Sequence, residues 1–275
     1  MEKICQTCMH HCRLKPGQWG ICRARKNEGG EIVCKNYGRI SSLALDPIEK
    51  KPLRRFFPGS KILSAGSFGC NLRCPFCQNY EISMIKPEIS ADSYLSPREL
   101  SDIAVKCREK GNIGVAFTYN EPLVGWEYVL DTARLVRKAG MKNVLVTNGT
   151  ASPEILEELL PYIDAMNIDL KGFQEEYYKK LGGSFSVVKE FIIRAAAGCH
   201  VELTTLIVPG ENDSVREMED EARWIASVDR EIPLHISRFF PRYQMEDTAA
   251  TKVENVYELA DAARKYLEYV YTGNC

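Results

Sequence analysis

What most limits the folds open to this chain is an alternation that starts near residue 61 and runs to its end. Apolar stretches of strand length fall at 61–67, 113–118, 142–147, 165–170, 201–208, 233–237 and, more weakly, 269–271. Helical patterns lie between them at 97–110 behind Ser96, 126–139 stopped by Gly140, 153–160 behind Ser152, 186–197 stopped by Gly198, 214–227 and 253–267. Strands joined through helices by short links must run parallel, and such crossovers share one hand, so the strands form one sheet that curls in one direction. Eight units close a TIM-type barrel, and six leave it open. The expected fold is therefore α/β, a partial (β/α)6 TIM-type barrel over residues 61–275, preceded over residues 1–60 by a small cysteine-rich metal-binding subdomain with a hairpin near 31–44 and a proline-punctuated linker. Chemistry in parallel barrels collects at the carboxyl ends of the strands, so functional residues are sought there.

The first strand runs into Gly66-Ser67-Phe68-Gly69 and then Cys70, Cys74 and Cys77 at C-x3-C-x2-C spacing. A 4Fe-4S cluster takes one thiolate per iron, so three cysteines leave one iron open, and an open coordination position is where a metal centre does chemistry. A zinc knuckle would need a fourth ligand, and no second CxxC or HxxxH stands nearby. Ahead of the loop, Cys5, Cys8, Cys12 and Cys22 at C-x2-C-x3-C-x9-C suit either zinc or an auxiliary iron–sulfur cluster, with His10 or His11 as substitutes. Such a head is too small to bury much apolar surface, so a metal would supply its folding energy. Cys107 and Cys199 read as core, and Cys34 and Cys275 are undecided.

The three-cysteine loop, with Phe76 before its last cysteine and a glycine-rich lead-in, resembles the radical S-adenosylmethionine (SAM) superfamily. That resemblance implies SAM on the open iron, reductive cleavage to methionine and a 5'-deoxyadenosyl radical, hydrogen abstraction from a substrate, and an external electron donor such as flavodoxin or ferredoxin. The cysteine head together with residues 41–53 (SSLALDPIEKKPL) and 57–60 (FPGS) resembles more narrowly the radical SAM component of the AmmeMemoRadiSam system. Its expected companions are Memo-like and AMMECR-like proteins. Broader relatives are the activating enzymes of pyruvate formate-lyase and other glycyl radical enzymes.

Strand ends supply the remaining candidates. After the second strand, Thr118-Tyr119-Asn120-Glu121-Pro122 resembles the superfamily's GGE motif with Tyr119-Asn120 in place of two glycines, and Asn120 and Glu121 can accept hydrogen bonds from the ammonium of SAM. Thr147 and Asn148 could reach a ribose, and the resemblance places Phe76, Thr204, Leu206 and Val208 along SAM. Alternation points Asn167, Asp169 and Lys171 to one face, taken as the lumen. Relatives carry a similar DLK near SAM and substrate, which makes Asp169 and Lys171 catalytic candidates, with a structural ion pair as the competing reading. His235 in an apolar strand is ordinarily a satisfied core histidine. The run H-x-S-R-F with Pro241 and Tyr243 resembles the branch's substrate side, which adds His235 and Arg238 as candidates.

Apolar content of 45% and charged content of 27% are those of an ordinary globular protein. No apolar run approaches the ~20 residues of a membrane span, and the first residues lack a signal peptide's apolar stretch, so a cytoplasmic enzyme without a membrane partner is expected. Residues 1–61 carry thirteen of the 36 Lys and Arg but five of the 37 Asp and Glu. That basic head is read as matching the acidic barrel rather than nucleic acid. Two other functions stay open: a glycyl radical enzyme activase, and a non-catalytic metal or nucleic-acid-binding module.

Overall fold

The computed structural model describes residues 1–85 and 93–275. Its main sheet has eight strands among the described residues: β1 (Ser42–Pro47), β2 (Lys61–Gly66), β3 (Asn112–Phe117), β4 (Lys142–Thr147), β5 (Ala165–Asp169), β6 (His200–Ile207), β7 (Leu234–Arg238) and β8 (Val270–Gly273). From β2 to β8 every neighbouring pair is parallel and consecutive in the chain. The crossovers run through α1 (Pro97–Lys106), α2 (Trp126–Lys138), α3 (Pro153–Leu159), α4 (Phe185–Ala196), α5 (Val215–Asp229) and α6 (Val253–Arg264). β1 and β8 are edges that do not pair with each other, so the barrel stays open as the repeat implied.

Strand parity sorts the side chains. Val201, Leu203 and Ile207 of β6, Met166 and Ile168 of β5, and Leu234 and Ile236 of β7 enter the large apolar layer beneath the helices. The residues between them, Asn167, Glu202, Thr204 and His235, are buried polar groups of the other face. The helices supply the matching stripe, as in α2, which buries Val129, Ala133 and Val136. α1 starts on a complete capping box, Ser96 accepting from the Glu99 amide while Glu99 reaches back to Ser96, with Pro97 at the first helical position.

Residues 25–60 differ from expectation. The hairpin pairs Arg25–Glu28 with Glu31–Cys34, earlier than read, across Gly29 and Gly30, both with positive φ. Ser42–Pro47, read as hairpin end and linker, is the antiparallel edge strand on β2. An edge strand tolerates Pro47 because its missing donor would face no neighbour. Ile48 and Leu53 then pack with Ile62, Ala116, Val144 and Ala165, the lumen side of β2 to β5, so this stretch plugs the barrel. The turn of helix Glu175–Lys180 was not anticipated.

The head lies against the carboxyl end of the barrel. Lys3–Ile4 pairs with Arg13–Leu14, Met9 N donates to Thr150 O at 3.2 Å and Ser152 N to Thr7 O at 3.1 Å. Arg25, 3% exposed, holds Glu127 on α2 through two hydrogen bonds.

Candidate active site

Gly66 ends β2 and the cysteine loop follows. At Gly69, with φ +91°, a Cβ would lie 2.6 Å from the Cys22 carbonyl, the oxygen that accepts from Cys70 N at 3.2 Å. Only glycine lets the head approach this closely. Arg73 N donates to Leu181 O at 2.8 Å and Gln244 N to Pro75 O at 2.9 Å, which ties the loop to segments following β5 and β7. Cys70, Cys74 and Cys77 meet one apolar cluster of Leu72, Phe76, Tyr177, Leu181, Val208 and Phe239, with Leu206, Met9 and Met245 at its margin.

Burial pushes the Cys74 thiol up to about 11, with nearby Lys171 pulling it back down. Burial, then the Glu121 charge, holds Cys70 well above its ordinary range. Thiols in this condition are protonated until a metal displaces the proton. Among the described residues no three His, Cys, Asp or Glu side chains converge on a point that one ion could occupy. Buried Cys74 and half-buried Cys70 and Cys77 on an apolar wall, with Lys171 beside Cys74, are a donor set that fits a cluster.

Asn120 bonds the loop itself, and Glu121 bonds the next strand end. Asn120 Oδ1 accepts from Ser67 N at 2.9 Å, and its amide donates to Phe68 O at 3.2 Å and Gly69 O at 3.0 Å. Glu121, 4% exposed, accepts from Leu123 N at 3.0 Å, Thr147 Oγ1 at 2.7 Å and Asn148 N at 2.7 Å. Burial lifts its carboxyl to about 7 against the pull of these donors. The Asn120 side chain thus braces the loop, while the Glu121 carboxylate ties its own turn to the Thr147-Asn148 strand end. Asn148 Nδ2 donates to Asn71 Oδ1 at 2.9 Å and lies 3.8 Å from Cys70 Sγ. Asn71 was missed, although its amide donates to Thr150 Oγ1 at 2.7 Å and its backbone carbonyl accepts from His10 Nε2 at 2.8 Å. Its position right after a cysteine was the available signal.

Asp169 and Lys171 form an ion pair at 2.8 Å with the cation 16% and the anion 31% exposed. Their charges act on Cys74, so the pair stands beside the loop. Thr204 is buried and donates to Asn167 Oδ1 at 3.0 Å rather than lining the thiols. Leu206 and Val208 do reach them.

His235 and Arg238 do not join this group. His235 is the second residue of β7, 6% exposed, bonded to Glu202 Oε2 at 2.6 Å and stacked on Tyr271 at 5.3 Å. Glu202 also accepts from Arg54 N and Arg55 N, so His235 anchors the barrel plug. Arg238 shares the parity of Leu234 and Ile236, and it donates to Thr251 O at 2.6 Å and lies over Phe240. Tyr243, by contrast, stacks on Tyr80 at 4.5 Å beside the loop.

In the head, Cys5, Cys8 and Cys22 are buried and Cys12 is half-buried. Cys5 Sγ donates to Thr7 Oγ1 at 3.4 Å and Cys5 N to Cys12 O at 3.0 Å. Burial raises Cys8 to about 11, and the charges of Cys22 and Cys5 add to it, so these three thiols lie within electrostatic reach of one another. His11 bonds Gln6 Oε1 at 3.0 Å.

Comparison with known proteins gives a consistent result. A family profile described as the radical SAM superfamily matches residues 66–225. An uncharacterized protein of Methanocaldococcus jannaschii is 38% identical over 98% of this chain and 80% of its own. The pyruvate formate-lyase-activating enzyme of Clostridium pasteurianum is 24% identical over 58% of this chain and 67% of its own. Among solved structures, SuiB of Streptococcus suis bound to S-adenosylmethionine superposes with a TM-score of 0.59 at 13% identity, over 75% of this chain and 48% of that one. At that identity the likeness concerns the fold.

Proposed function

The chain belongs to the radical SAM superfamily, and from that membership we propose that it is an enzyme that generates a substrate radical with a 4Fe-4S cluster and SAM. Cys70, Cys74 and Cys77 would hold the cluster. When bound, the cluster and SAM supply reductive cleavage of the sulfonium to a 5'-deoxyadenosyl radical that takes hydrogen from a substrate. The observation that carries the reading is the gathering of buried Cys74 and half-buried Cys70 and Cys77 against Phe76, Leu206 and Val208, with Asp169 and Lys171 beside Cys74.

The chain's own residues then have separable tasks. Phe76, Leu206 and Val208 exclude water from one side of the thiols and offer an apolar face to adenine. Asn120, Glu121, Thr147 and Asn148 hold the loop and its neighbour in register. Asp169 and Lys171, the half-accessible charges at the site, are proposed to meet the polar end of SAM or substrate.

Radical SAM enzymes generally take their electron from a donor such as flavodoxin or ferredoxin. The run from Ser41 to Leu53 and the cysteine head support the AmmeMemoRadiSam branch, with Memo-like and AMMECR-like partners. The head would carry zinc or an auxiliary iron–sulfur cluster on Cys5, Cys8, Cys12 and Cys22. Similarity to pyruvate formate-lyase-activating enzymes favours a second reading, an activase acting on a partner's glycine. A non-catalytic binding module leaves the charged pair beside Cys74 without a role. Among the described residues no helix is long and apolar enough to cross a membrane, and a reducing compartment suits so many free thiols.

Anaerobic reconstitution tests the proposal. Wild type should bind four irons and four sulfides beyond the head's complement, and Cys70→Ala, Cys74→Ala or Cys77→Ala should each lose that set while Cys5→Ala does not. Equal iron in wild type and all three loop variants would remove the cluster from this site.

A further inference from the structure

Tyr119 stands where the resemblance expects glycine, and its backbone explains why. Its φ is +74°, and Asn120 N donates to Thr118 O at 3.0 Å across it, which makes Tyr119 the centre of a γ-turn of the strained, positive-φ kind. Glycine takes this conformation freely, and a residue with an aromatic side chain must be held in it. Three contacts hold it. The Tyr119 hydroxyl donates to Asp46 Oδ2 at 2.7 Å, and Lys51 Nζ donates to the same oxygen at 3.0 Å while lying 4.6 Å above the ring. Asp46 is 8% and Lys51 2% exposed, so this is a buried, mutually neutralised pair inside the barrel. The ring also covers Gly66, where a Cβ would come within 2.8 Å of it.

The turn grips both flanks of the cysteine loop. On one side it aims Asn120 at Ser67, Phe68 and Gly69 and lets Glu121 N donate to Gly69 O at 3.3 Å. On the other, Tyr119 O accepts from Asn79 Nδ2 at 2.8 Å, two residues beyond Cys77. From this geometry we infer that Asp46, Lys51 and Tyr119 are positioning residues for the cysteine loop, a lumen ion pair that fixes a strained turn and through it the spacing of the three thiols. The segment that plugs the barrel thereby reaches the site without touching it. The inference rests on the cluster reading for its chemical consequence, but its mechanical part concerns the protein alone.

The test uses both levels. Hydrogen exchange at the Ser67 and Glu121 amides, measured on the protein before reconstitution, should be about tenfold faster in Asp46→Asn and Tyr119→Phe than in wild type. After reconstitution, the change that added SAM makes in the EPR spectrum of the reduced cluster should need about tenfold more SAM in the same variants. Tyr119→Gly removes the strain, so it should keep exchange slow and make Asp46→Asn silent by both readouts. Tyr119→Phe deletes a single hydroxyl and guards against a variant that merely fails to fold. Wild-type exchange rates in Asp46→Asn, or an equal effect of Asp46→Asn with Tyr119 and with glycine at that position, would overturn the inference. A wild type that binds no cluster would instead count against the proposed function, leaving the exchange result to decide the positioning role.

Discussion

Glu202 and Glu221 are both buried carboxyls in or against β6, and their surroundings drive them in opposite directions. Glu202 is fully buried, which alone would raise its carboxyl, but His200, His235 and the amides of Arg54 and Arg55 outweigh burial and bring it to about 2. A carboxyl held below its unfolded value contributes stability that is complete above pH 4.5 and is lost as pH falls through about 2. Glu202→Gln, which leaves those donors facing a neutral amide, should cost about 3 kcal/mol in denaturant melts at pH 7. Glu221 is raised by burial to about 8, with one hydrogen bond from Thr205 Oγ1 opposing. Its contribution is therefore complete below pH 4.5 and is lost as pH rises through about 8. Glu221→Gln should flatten the stability profile between those values and gain on the order of 2 kcal/mol at pH 8. An unchanged profile would mean that the carboxyl is not neutral in the folded chain. At this scale the sequence was partly readable. Parity alone would have turned Arg238 toward the helices with Leu234 and Ile236, whereas the motif pointed it at a substrate. The occupation of Asn120 and Glu121 was not readable, because their partners Ser67 and Thr147 arrive from other strand ends.

Elements that depend on local pattern were legible almost to the residue. The strand near 142–147 and the helix behind Ser96 follow from alternation and from a capping signature, and the latter supports a modest prediction. Ser96→Ala should destabilise by about 1 kcal/mol in thermal or urea melts, since it removes one half of a complete box. β1 was not legible, because Asp46-Pro47 has the composition of a turn and only its pairing with β2 makes it a strand. The same tertiary dependence governs the plug. Leu53 is fully buried among Ile48, Ile62, Ala116, Val144 and Ala165, so Leu53→Ala should cost about 3 kcal/mol, far more than a leucine in a linker would. A loss below about 0.5 kcal/mol would mean that residues 48–56 do not seal the barrel.

For the whole molecule, seven parallel strands in chain order leave an open barrel whose carboxyl end is roofed by the cysteine loop and the docked head. The strand order and the position of the loop could be inferred from the sequence, since each unit simply follows the last. The docking of Cys8 against Ala151 and of Cys22 against Cys70 could not, because nothing local encodes a contact across that many residues. These contacts make the loop a junction between head and barrel, so chelation should lower the melting temperature of wild type by more than that of Cys74→Ala, which has only the head's metal to lose. The most direct measurement is the anaerobic formation of 5'-deoxyadenosine from SAM after reduction with dithionite, wild type beside Cys74→Ala. The account predicts product from the wild type and none from the variant. A wild type carrying its full iron and yielding no 5'-deoxyadenosine, or a variant yielding as much, would contradict it.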